Sequence, residues 1–278
     1  MREKNKAIAE NTLNVIKTGA YNFQGKEVQI KEKIKKSRLN TKLYTPAELE
    51  GLYLNLKATG QETTRIEVTE ETTLKACERL KKEGDAVIAL NFASAKNPGG
   101  GFLKGSSAQE ESIARVSSLY DSLIGQKEYY DYHHKQKSAL YSDHMIYSPN
   151  VVIFKDERGE FIEPYEISFI TSAAVNAGVV KQNEPKAVQM RIDVVMKKRI
   201  EKILTIALVN GCESIVLGAF GCGVFKNNPY SIARLFNEVL AGPKFANKFK
   251  KVVFAVYDSS SNKMVYSAFK NNIRLNRR

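Results

Sequence analysis

The residues with the clearest chemical potential are a glycine triplet and a pair of carboxylates that follows it. Gly99, Gly100 and Gly101 come after an apolar run, and Glu110 and Glu111 stand at the start of the next predicted helix. Glycines let a backbone N–H approach a phosphate closely, because no Cβ intervenes and positive φ angles are accessible. Carboxylates nearby would repel that phosphate unless they act on another part of the same ligand. The pattern therefore predicts chemistry on a phosphorylated sugar.

A second glycine-rich loop follows another apolar strand and reads Gly218-Ala-Phe-Gly221-Cys-Gly223-Val-Phe225. In open α/β sheets, ligands bind beyond the carboxyl ends of the strands. We therefore expect the two loops to hold a diphosphate with backbone N–H groups and a helix N-terminus. Neither loop has the spacing of a P-loop or of a Gly-x-Gly-x-x-Gly dinucleotide fingerprint. Phe225 is either a core residue or a ring that lies against a ribose or base.

The two carboxylates are expected to differ in role. Ser107 and Glu110 have the spacing of a capping box, in which Ser107 caps the helix and Glu110 returns to the N–H of the cap. Glu111 has no such local role, and adjacent helical side chains point about 100° apart. We therefore assign the chemistry to Glu111, and orientation, capping or contact with a substrate hydroxyl to Glu110. Gln109 either bridges substrate and backbone or is a polar residue of the first turn.

The electrostatics of the carboxylate pair are left open by the sequence. Burial in a pocket would raise the pKa of a carboxyl group and make it a usable general acid. The positive end of the helix dipole would lower the same pKa.

Other reactive side chains do not have the spacing of a known site. His133 and His134 are adjacent and diverge on any regular element, and no His-Glu-x-x-His or Cys-x-x-Cys motif accompanies them or His144. No metal and no other cofactor is therefore predicted. Cys222 lies between glycines without a recognisable histidine partner, so we interpret it as a close-packed loop residue. Asn176 is either a ligand contact or a turn residue.

Charge and cysteine content limit the setting. The net charge is +13, and residues 241–278 carry nine basic and one acidic side chain. This basic end is either a solvated surface or a weak attractor of polyanions. The three cysteines are widely spaced, which favours a reducing, cytoplasmic compartment over a disulfide framework. No segment resembles a signal peptide or is long and apolar enough to cross a membrane.

The pattern of elements predicts an α/β fold. Strands are expected at 63–69, 85–91, 151–154, 166–171, 214–218 and 251–257, and helices at 1–20, from Pro46, and at 70–82, 107–123, 187–210, 229–240 and 262–271. Strands that alternate with helices indicate a three-layer α/β/α domain with a mixed sheet. We expect a mostly helical extension over residues 1–65, packed on a core domain over residues 66–278.

The glycine loops also carry a family resemblance. Gly99-Gly-Gly101, followed after seven residues by Gln109-Glu-Glu111, resembles the signature of bacterial-type poly(ADP-ribose) glycohydrolases. The segment from Gly218 to Asn227 resembles the diphosphate loop of that family, and the likeness extends over about residues 40–260. The resemblance implies a macrodomain-like core and hydrolysis, mainly from the chain end, of the ribose–ribose O-glycosidic bond of poly(ADP-ribose). No metal is required by this chemistry.

The resemblance implies roles for individual residues. Glu111 corresponds to the catalytic glutamate, which acts as general acid and base, and Glu110 to its neighbour that contacts ribose hydroxyls. Together with Gln109, the residues expected to bind the substrate are Asn97, Gly99, Gly100, Gly101, Gly221, Cys222, Gly223, Val224 and Phe225.

Two other functions are considered beside this one. The first is removal of ADP-ribose from nucleic-acid bases or protein side chains, which the basic C-terminus favours. The second is a module that binds ADP-ribose without cleaving it, and the intact Gln-Glu-Glu sequence argues against that function.

Overall fold

A computed structural model describes residues 1–57 and 63–273. Its strands are β1 (Ala20–Phe23), β2 (Lys26–Gln29), β3 (Lys42–Tyr44), β4 (Arg65–Thr69), β5 (Val87–Phe92), β6 (Met145–Lys155), β7 (Phe161–Ser172), β8 (Ser214–Leu217) and β9 (Lys251–Ala255). Strands β1 and β2 form a separate hairpin, and the other seven belong to one mixed sheet in the order β3-β6-β7-β5-β8-β9-β4.

The helices are α1 (Arg2–Thr18), α2 (Lys31–Leu39), α3 (Pro46–Asn55), α4 (Thr73–Lys82), α5 (Gln109–Val116), α6 (Leu119–Ile124), α7 (Lys127–Lys135), α8 (Ala177–Asn183), α9 (Lys186–Gln189), α10 (Ile192–Val209), α11 (Pro229–Ala241) and α12 (Met264–Asn272). A single 3-10 turn lies at Phe102–Lys104 in the described chain. Helices flanking a mixed sheet confirm the predicted α/β class and the macrodomain-like architecture. None of the described helices has the length and apolar character of a membrane span.

The described chain divides into two compact units. The first comprises Met1–Tyr44, Asn91–Lys135 and His144–Ser172. Within it, β3 pairs antiparallel with β6, and β6 pairs antiparallel with β7. Helix α1 and the β1–β2 hairpin pack on this unit through a cluster of Val15, Tyr21, Ile30, Ile34, Val152 and Phe154. This unit carries the first glycine loop and the helix that bears the two glutamates.

The second unit comprises Thr45–Leu90, Gln136–Asp143 and the described part of Ala173–Arg278. Here β5 pairs with β8, β8 with β9 and β4 with β9, all in parallel. Strands β8 and β9 are buried along their whole lengths, as expected for parallel strands covered on both faces. Helix α3 begins with the predicted capping box: the Thr45 hydroxyl accepts the Glu48 N–H, and the Glu48 carboxylate accepts the Thr45 N–H.

Two predicted helices are broken in the structure. The helix expected over 107–123 ends at Val116 and resumes at Leu119, because Ser117 pairs as an isolated antiparallel bridge with Ile153. The Ser117 hydroxyl also donates to the Ile113 carbonyl and accepts the Leu119 N–H. The helix expected over 187–210 is interrupted between α9 and α10.

The hairpin β1–β2, helix α2 and strand β3 were not predicted. Short polar strands and a lysine-rich helix lack the apolar periodicity on which the prediction relied. The boundary proposed at residue 65 stays a prediction.

Candidate active site

Helix α5 is tied to the end of strand β5 by its first residue. The side-chain oxygen Oε1 of Gln109 accepts the Phe92 N–H at 2.8 Å. Of the two roles considered for Gln109, the structure shows this bond to the backbone. The bond fixes the start of the helix relative to the strand end, so the next two residues of the chain have defined positions.

Glu110 turns inward from this helix. Its oxygen Oε2 accepts the Ser94 N–H at 2.7 Å, and Oε1 accepts from the side-chain amide of Asn91 at 3.2 Å. The same Asn91 amide donates to the Thr171 hydroxyl at 3.1 Å. Only 2% of Glu110 is exposed. The side chain therefore joins α5 to β5, to the loop that follows β5, and through Asn91 to β7.

The predicted capping box at this helix is wrong. The cap position is Ala108 rather than Ser107, and no side chain caps the helix. The Glu110 carboxyl group instead has three donors: the Asn91 amide and the backbone N–H groups of Ser94 and Gly99. These donors come from β5 and the loop that follows it, so the Glu110 carboxyl group is turned away from the cap of its own helix.

Burial raises the pKa of Glu110 to about 8. The nearby charge of Glu111 acts in the same direction, and the hydrogen bonds from Ser94, Asn91 and Gly99 oppose it without cancelling it. The net shift of the Glu110 pKa is therefore upward, in the direction expected from burial. At neutral pH this carboxyl group is therefore mostly protonated, and the pair carries less than two negative charges.

Glu111 occupies a different environment. Its side chain is half-buried, and its oxygen Oε1 accepts the Gly101 N–H at 2.9 Å. The carboxylate is thus held against the glycine loop by one backbone donor. A partly exposed carboxylate with a defined position is suited to exchange a proton with a bound ligand.

The glycine loop leaves space for that carboxylate. Gly100 has a φ of +59°, and a Cβ at this position would overlap Oε1 of Glu111 and lie 2.9 Å from its Cδ. Gly101 is equally confined, because its Cβ would lie 2.6 Å from the Ser106 hydroxyl. Glycine is required at Gly100 for two reasons: its left-handed backbone and the volume that Glu111 occupies.

Neighbouring side chains define the shape of the loop. The Asn97 carbonyl accepts the Gly100 N–H at 2.9 Å, and the Asn97 N–H donates to the Ser94 hydroxyl at 3.1 Å. Gly99 lies against the rings of Phe102 and Tyr120, whose centroids are 4.9 Å apart with the ring planes inclined at 56°. The Asn97 side chain is exposed, which leaves it accessible to a ligand.

Sequence reasoning missed the residues that hold Glu110. Asn91, Ser94 and Thr171 are dispersed in the chain and have no motif. Asn91 could have been suspected, because a polar side chain at the end of an apolar strand must find a partner when it is buried.

The second glycine loop belongs to the other unit. Gly221 has a φ of +72°, and a Cβ there would lie 2.5 Å from the Ala174 Cβ and 2.6 Å from Nδ2 of Asn227. The buried Asn227 amide donates to the carbonyls of Val175 and Gly221, at 2.7 and 3.0 Å. The loop is thus anchored from beneath by one side chain.

The remaining residues of this loop differ in exposure. Val224 is 80% exposed, and Gly223 is exposed as well. Phe225 is half-buried, with its ring 6.0 Å from that of Tyr141. Cys222 is half-buried, and burial raises the pKa of its thiol to about 12, which makes it a poor nucleophile at neutral pH.

The other candidates have structural partners. Asn176 caps α8, because its side-chain oxygen accepts the Val179 N–H at 3.2 Å. His133 is buried, and its Nδ1 lies 2.8 Å from the Tyr129 carbonyl oxygen. Within residues 1–57 and 63–273, no three His, Cys, Asp or Glu side chains form a cluster that could hold a metal ion.

A seven-strand mixed sheet flanked by helices places the chain in the class of macrodomain-like α/β proteins. Comparison with known proteins is more specific. Residues 9–156 match the family model of the microbial-type PARG catalytic domain. The chain therefore belongs to the microbial-type PARG family, and it is an enzyme of the poly(ADP-ribose) glycohydrolase class.

Solved structures agree over nearly the whole chain. A poly(ADP-ribose) glycohydrolase from Thermomonospora curvata is 42% identical, with a TM-score of 0.93 over 98% of this chain and 100% of that one. The same protein bound to the inhibitor ADP-HPD gives 42% identity and a TM-score of 0.90, over 97% of this chain and 99% of that one. The Deinococcus radiodurans enzyme in complex with ADP-ribose gives 40% identity and 0.83, over 91% and 99%. No curated protein matches the chain.

Proposed function

We propose that Glu111 is the general acid and base of this glycohydrolase, and that the enzyme releases ADP-ribose mainly from the end of the polymer. The observation that carries the assignment is the hydrogen bond from the Gly101 N–H to Oε1 of Glu111 at 2.9 Å. It places the half-buried carboxylate beside the loop expected to bind the diphosphate. An acid so placed reaches the sugar of a ligand whose phosphates the loop holds.

Glu110 is unsuited to the same role. Both of its oxygens accept hydrogen bonds from the protein, and its side chain is almost fully enclosed. We propose that it fixes the start of α5. We also propose that it reduces the negative charge beside Glu111, because its own carboxyl group is mostly protonated at neutral pH. A contact with a ribose hydroxyl would require one of these hydrogen bonds to be exchanged.

The reaction follows from general acid–base chemistry. Protonated Glu111 donates its proton to the bridging oxygen of the ribose–ribose bond as the bond from that oxygen to the anomeric carbon breaks. The anomeric carbon becomes oxocarbenium-like, and the resulting Glu111 carboxylate stabilises that charge. A water molecule then adds to the anomeric carbon and gives its proton to Glu111, which restores the acid.

Backbone donors are proposed to hold the substrate during these steps. The loop at Gly99, Gly100 and Gly101 and the loop from Gly221 to Phe225 are the candidates for the diphosphate and the distal ribose. The first loop supports this proposal, because its three glycines present backbone without side chains and have little free space around them. A diphosphate fixed in this way would keep the anomeric carbon close to Glu111, and such positioning can supply a large part of an enzyme's rate enhancement.

The central test is Glu111→Gln. We expect release of ADP-ribose from poly(ADP-ribose) to fall at least 1,000-fold, because general acid catalysis typically contributes about 10²–10⁴-fold and the same residue acts twice. The dissociation constant for ADP-ribose should change less than about threefold, because Gln has the same shape. Glu128→Gln, at an exposed glutamate of α7, is the matched control and should keep full activity. Equal turnover by Glu111→Gln and wild type would contradict the assignment.

The products distinguish the mode of cleavage. ADP-ribose as the sole early product supports exo action, and a ladder of oligomers would show endo cleavage. ADP-ribose is also the ligand in the Deinococcus radiodurans complex, which supports the proposal that this single unit is the product released. Parallel assays on ADP-ribosylated protein and DNA test the alternative substrates: faster release from either than from the polymer would overturn the assigned preference.

Two further proposals concern the setting of the enzyme. We place it in the cytoplasm, because Cys77, Cys212 and Cys222 are all free thiols. We also propose a weak attraction of the basic C-terminus for the polymer. Several of its lysines are already engaged, since Lys250 pairs with Asp85, Lys251 with Glu83 and Lys263 with Glu70, and Lys244 donates to three carbonyl oxygens. Arg274, Arg277 and Arg278 lie outside the described residues.

A further inference from the structure

A closed ring of hydrogen bonds links the Glu111 carboxylate back to its own helix. Gly101 donates its N–H to Glu111, and the Gly101 carbonyl accepts the Ser106 N–H at 3.2 Å. The Ser106 carbonyl accepts two hydrogen bonds from the guanidinium of Arg115, at 2.8 and 3.0 Å. Arg115 lies one helical turn after Glu111 on α5, which closes the ring.

Arg115 is an unusual residue to find in this position. Only 5% of it is exposed, and in the described chain its guanidinium donates to a carbonyl oxygen. Burial lowers its pKa, and the charge of Glu111 opposes that shift. A buried arginine is costly unless it is hydrogen-bonded and near an opposite charge. A neutral donor could satisfy the Ser106 carbonyl without the cost of burying a charge, so the hydrogen bonds to that carbonyl do not by themselves account for an arginine.

The backbone of Arg115 is itself fixed by helix α1. The Thr12 hydroxyl donates to the Arg115 carbonyl at 2.5 Å, and the buried ammonium of Lys155 donates to the same hydroxyl at 2.8 Å. Ala9 of α1 packs with Phe102, in the 3-10 turn after the glycine loop, and with Ala114 of α5.

The start of α1 holds the exit of the glycine loop. Nε of Arg2 donates to the Lys104 carbonyl at 2.9 Å, and the Asn5 amide donates to the Gly105 carbonyl at 3.2 Å. Helix α1 therefore contacts both ends of the ring, at the loop and at α5.

From these contacts we infer that Arg115 is a positioning residue for the reaction: it sets the distance between the glycine loop and Glu111 by holding Ser106, and it supplies a fixed positive charge one turn from the acid. The inference rests on the role of Glu111 proposed above. Two hydrogen bonds from a planar guanidinium to one carbonyl oxygen fix both the position and the orientation of residues 101–106. A single hydrogen bond from an ammonium group does not.

The test uses Arg115→Lys and Arg115→Met in the full-length enzyme. We expect kcat on poly(ADP-ribose) to fall about 30- to 100-fold for Arg115→Met, because a misplacement of about 1 Å costs about 10²-fold. Arg115→Lys should recover part of that loss, since it keeps the charge and one donor. KM and the dissociation constant for ADP-ribose should change less than about threefold, because binding does not depend on the acid.

Two readouts separate positioning from simple structural support. The first is the split between kcat and KM: Arg115→Met should lower kcat and leave KM within about threefold of wild type, because binding does not depend on the acid. In a Glu111→Gln background, Arg115→Met should lower the residual rate less than threefold, because a residue that acts through Glu111 has nothing left to position. Val239→Ala, which shortens a buried side chain of α11 in the second unit, is the control for lost stability and should keep its kcat.

The outcomes are decisive in either direction. A fall in kcat that is absent in the Glu111→Gln background supports the inference. The inference is overturned if Arg115→Met lowers the residual rate of Glu111→Gln by the same factor as it lowers the kcat of the wild type. It is also overturned if Val239→Ala loses as much kcat as Arg115→Met does. If Arg115→Met does not fold, Arg115→Lys alone decides: unchanged kcat refutes the role of the paired hydrogen bonds. If the wild type does not cleave the polymer at all, the proposed function fails rather than the inference.

Discussion

Replacing Gly100 with alanine should move the proposed catalytic carboxylate without changing any charge. A Cβ at this position would overlap Oε1 of Glu111 and lie 2.9 Å from its Cδ and 3.2 Å from Oε2 of Glu110. Because the obstacle is a side chain held by the Gly101 N–H, the carboxylate must leave that donor to make room. The variant therefore tests whether the position of Glu111, rather than its mere presence, supports turnover.

The substitution should change two quantities that can be measured separately, the free energy of unfolding and kcat. The left-handed φ of +59° makes an alanine at this position unfavourable by about 1–2 kcal/mol. Loss of the hydrogen bond from the Gly101 N–H to the Glu111 carboxylate should lower the free energy of unfolding by about 1.5–3 kcal/mol more. If the acid moves by about 1 Å, kcat should fall about 100-fold, which corresponds to about 2.7 kcal/mol in the activation free energy.

A second glycine supplies the matched control. Gly25, in the turn between β1 and β2, has a φ of +77°, and a Cβ there would meet no atom within 4 Å. Gly25→Ala therefore carries the same kind of backbone strain and leaves Glu111 undisturbed. We expect it to lower the melting temperature without lowering kcat.

The assay is the initial rate of ADP-ribose release at saturating polymer, with a thermal unfolding curve for each variant. Gly100→Ala should lose about 100-fold in kcat, and Gly25→Ala less than twofold. A kcat for Gly100→Ala within threefold of that for Gly25→Ala would refute the reasoning. It would show that the carboxylate tolerates displacement from the Gly101 N–H.

Two further predictions concern stability. Because the pKa of Glu110 is raised to about 8 in the folded protein, from an ordinary value of 4.5, the folded state binds more protons than the unfolded state between these values, and the free energy of unfolding should fall as the pH rises through this window. At about 1.4 kcal/mol per pH unit, Glu110→Gln should therefore gain a few kcal/mol relative to wild type between pH 5 and pH 8, as measured by urea unfolding; a difference that stays constant with pH would contradict this account. Ser107→Ala should leave the melting temperature unchanged, because Ser107 caps no helix, whereas Thr45→Ala should cost about 1 kcal/mol by removing a real capping box. Equal losses of stability in the two variants would show that Ser107 does cap α5.

The six strands from β4 to β9 and the two glycine loops could be predicted from the sequence because their signals are local. A buried parallel strand is a continuous apolar run, as at Val87–Phe92, and a loop that approaches a phosphate needs glycine. The helix start at Thr45 was equally readable, since both members of its capping box lie within one turn. The family signature, Gly99 to Glu111, is also contiguous.

The breaks in helices depend on distant partners. Nothing in the sequence around Ser117 indicates that its backbone pairs with Ile153. Likewise, the N-terminal hairpin and α2 are too polar to be recognised alone, and they are stabilised by packing Ile30 and Ile34 against Val152 and Phe154. Such elements are decided by tertiary contacts, because their local preference is weak.

By itself, the sequence determined that a glycine loop precedes a pair of glutamates and that the second glutamate has no local structural duty. Only the tertiary structure decided what each carboxyl group experiences. Glu110 is buried among donors from Asn91 and Ser94, which raises its pKa, and Glu111 remains half-exposed on the Gly101 N–H. The physical reason is that burial and hydrogen bonding depend on which segments meet in space, and those segments lie far from the glutamates along the chain.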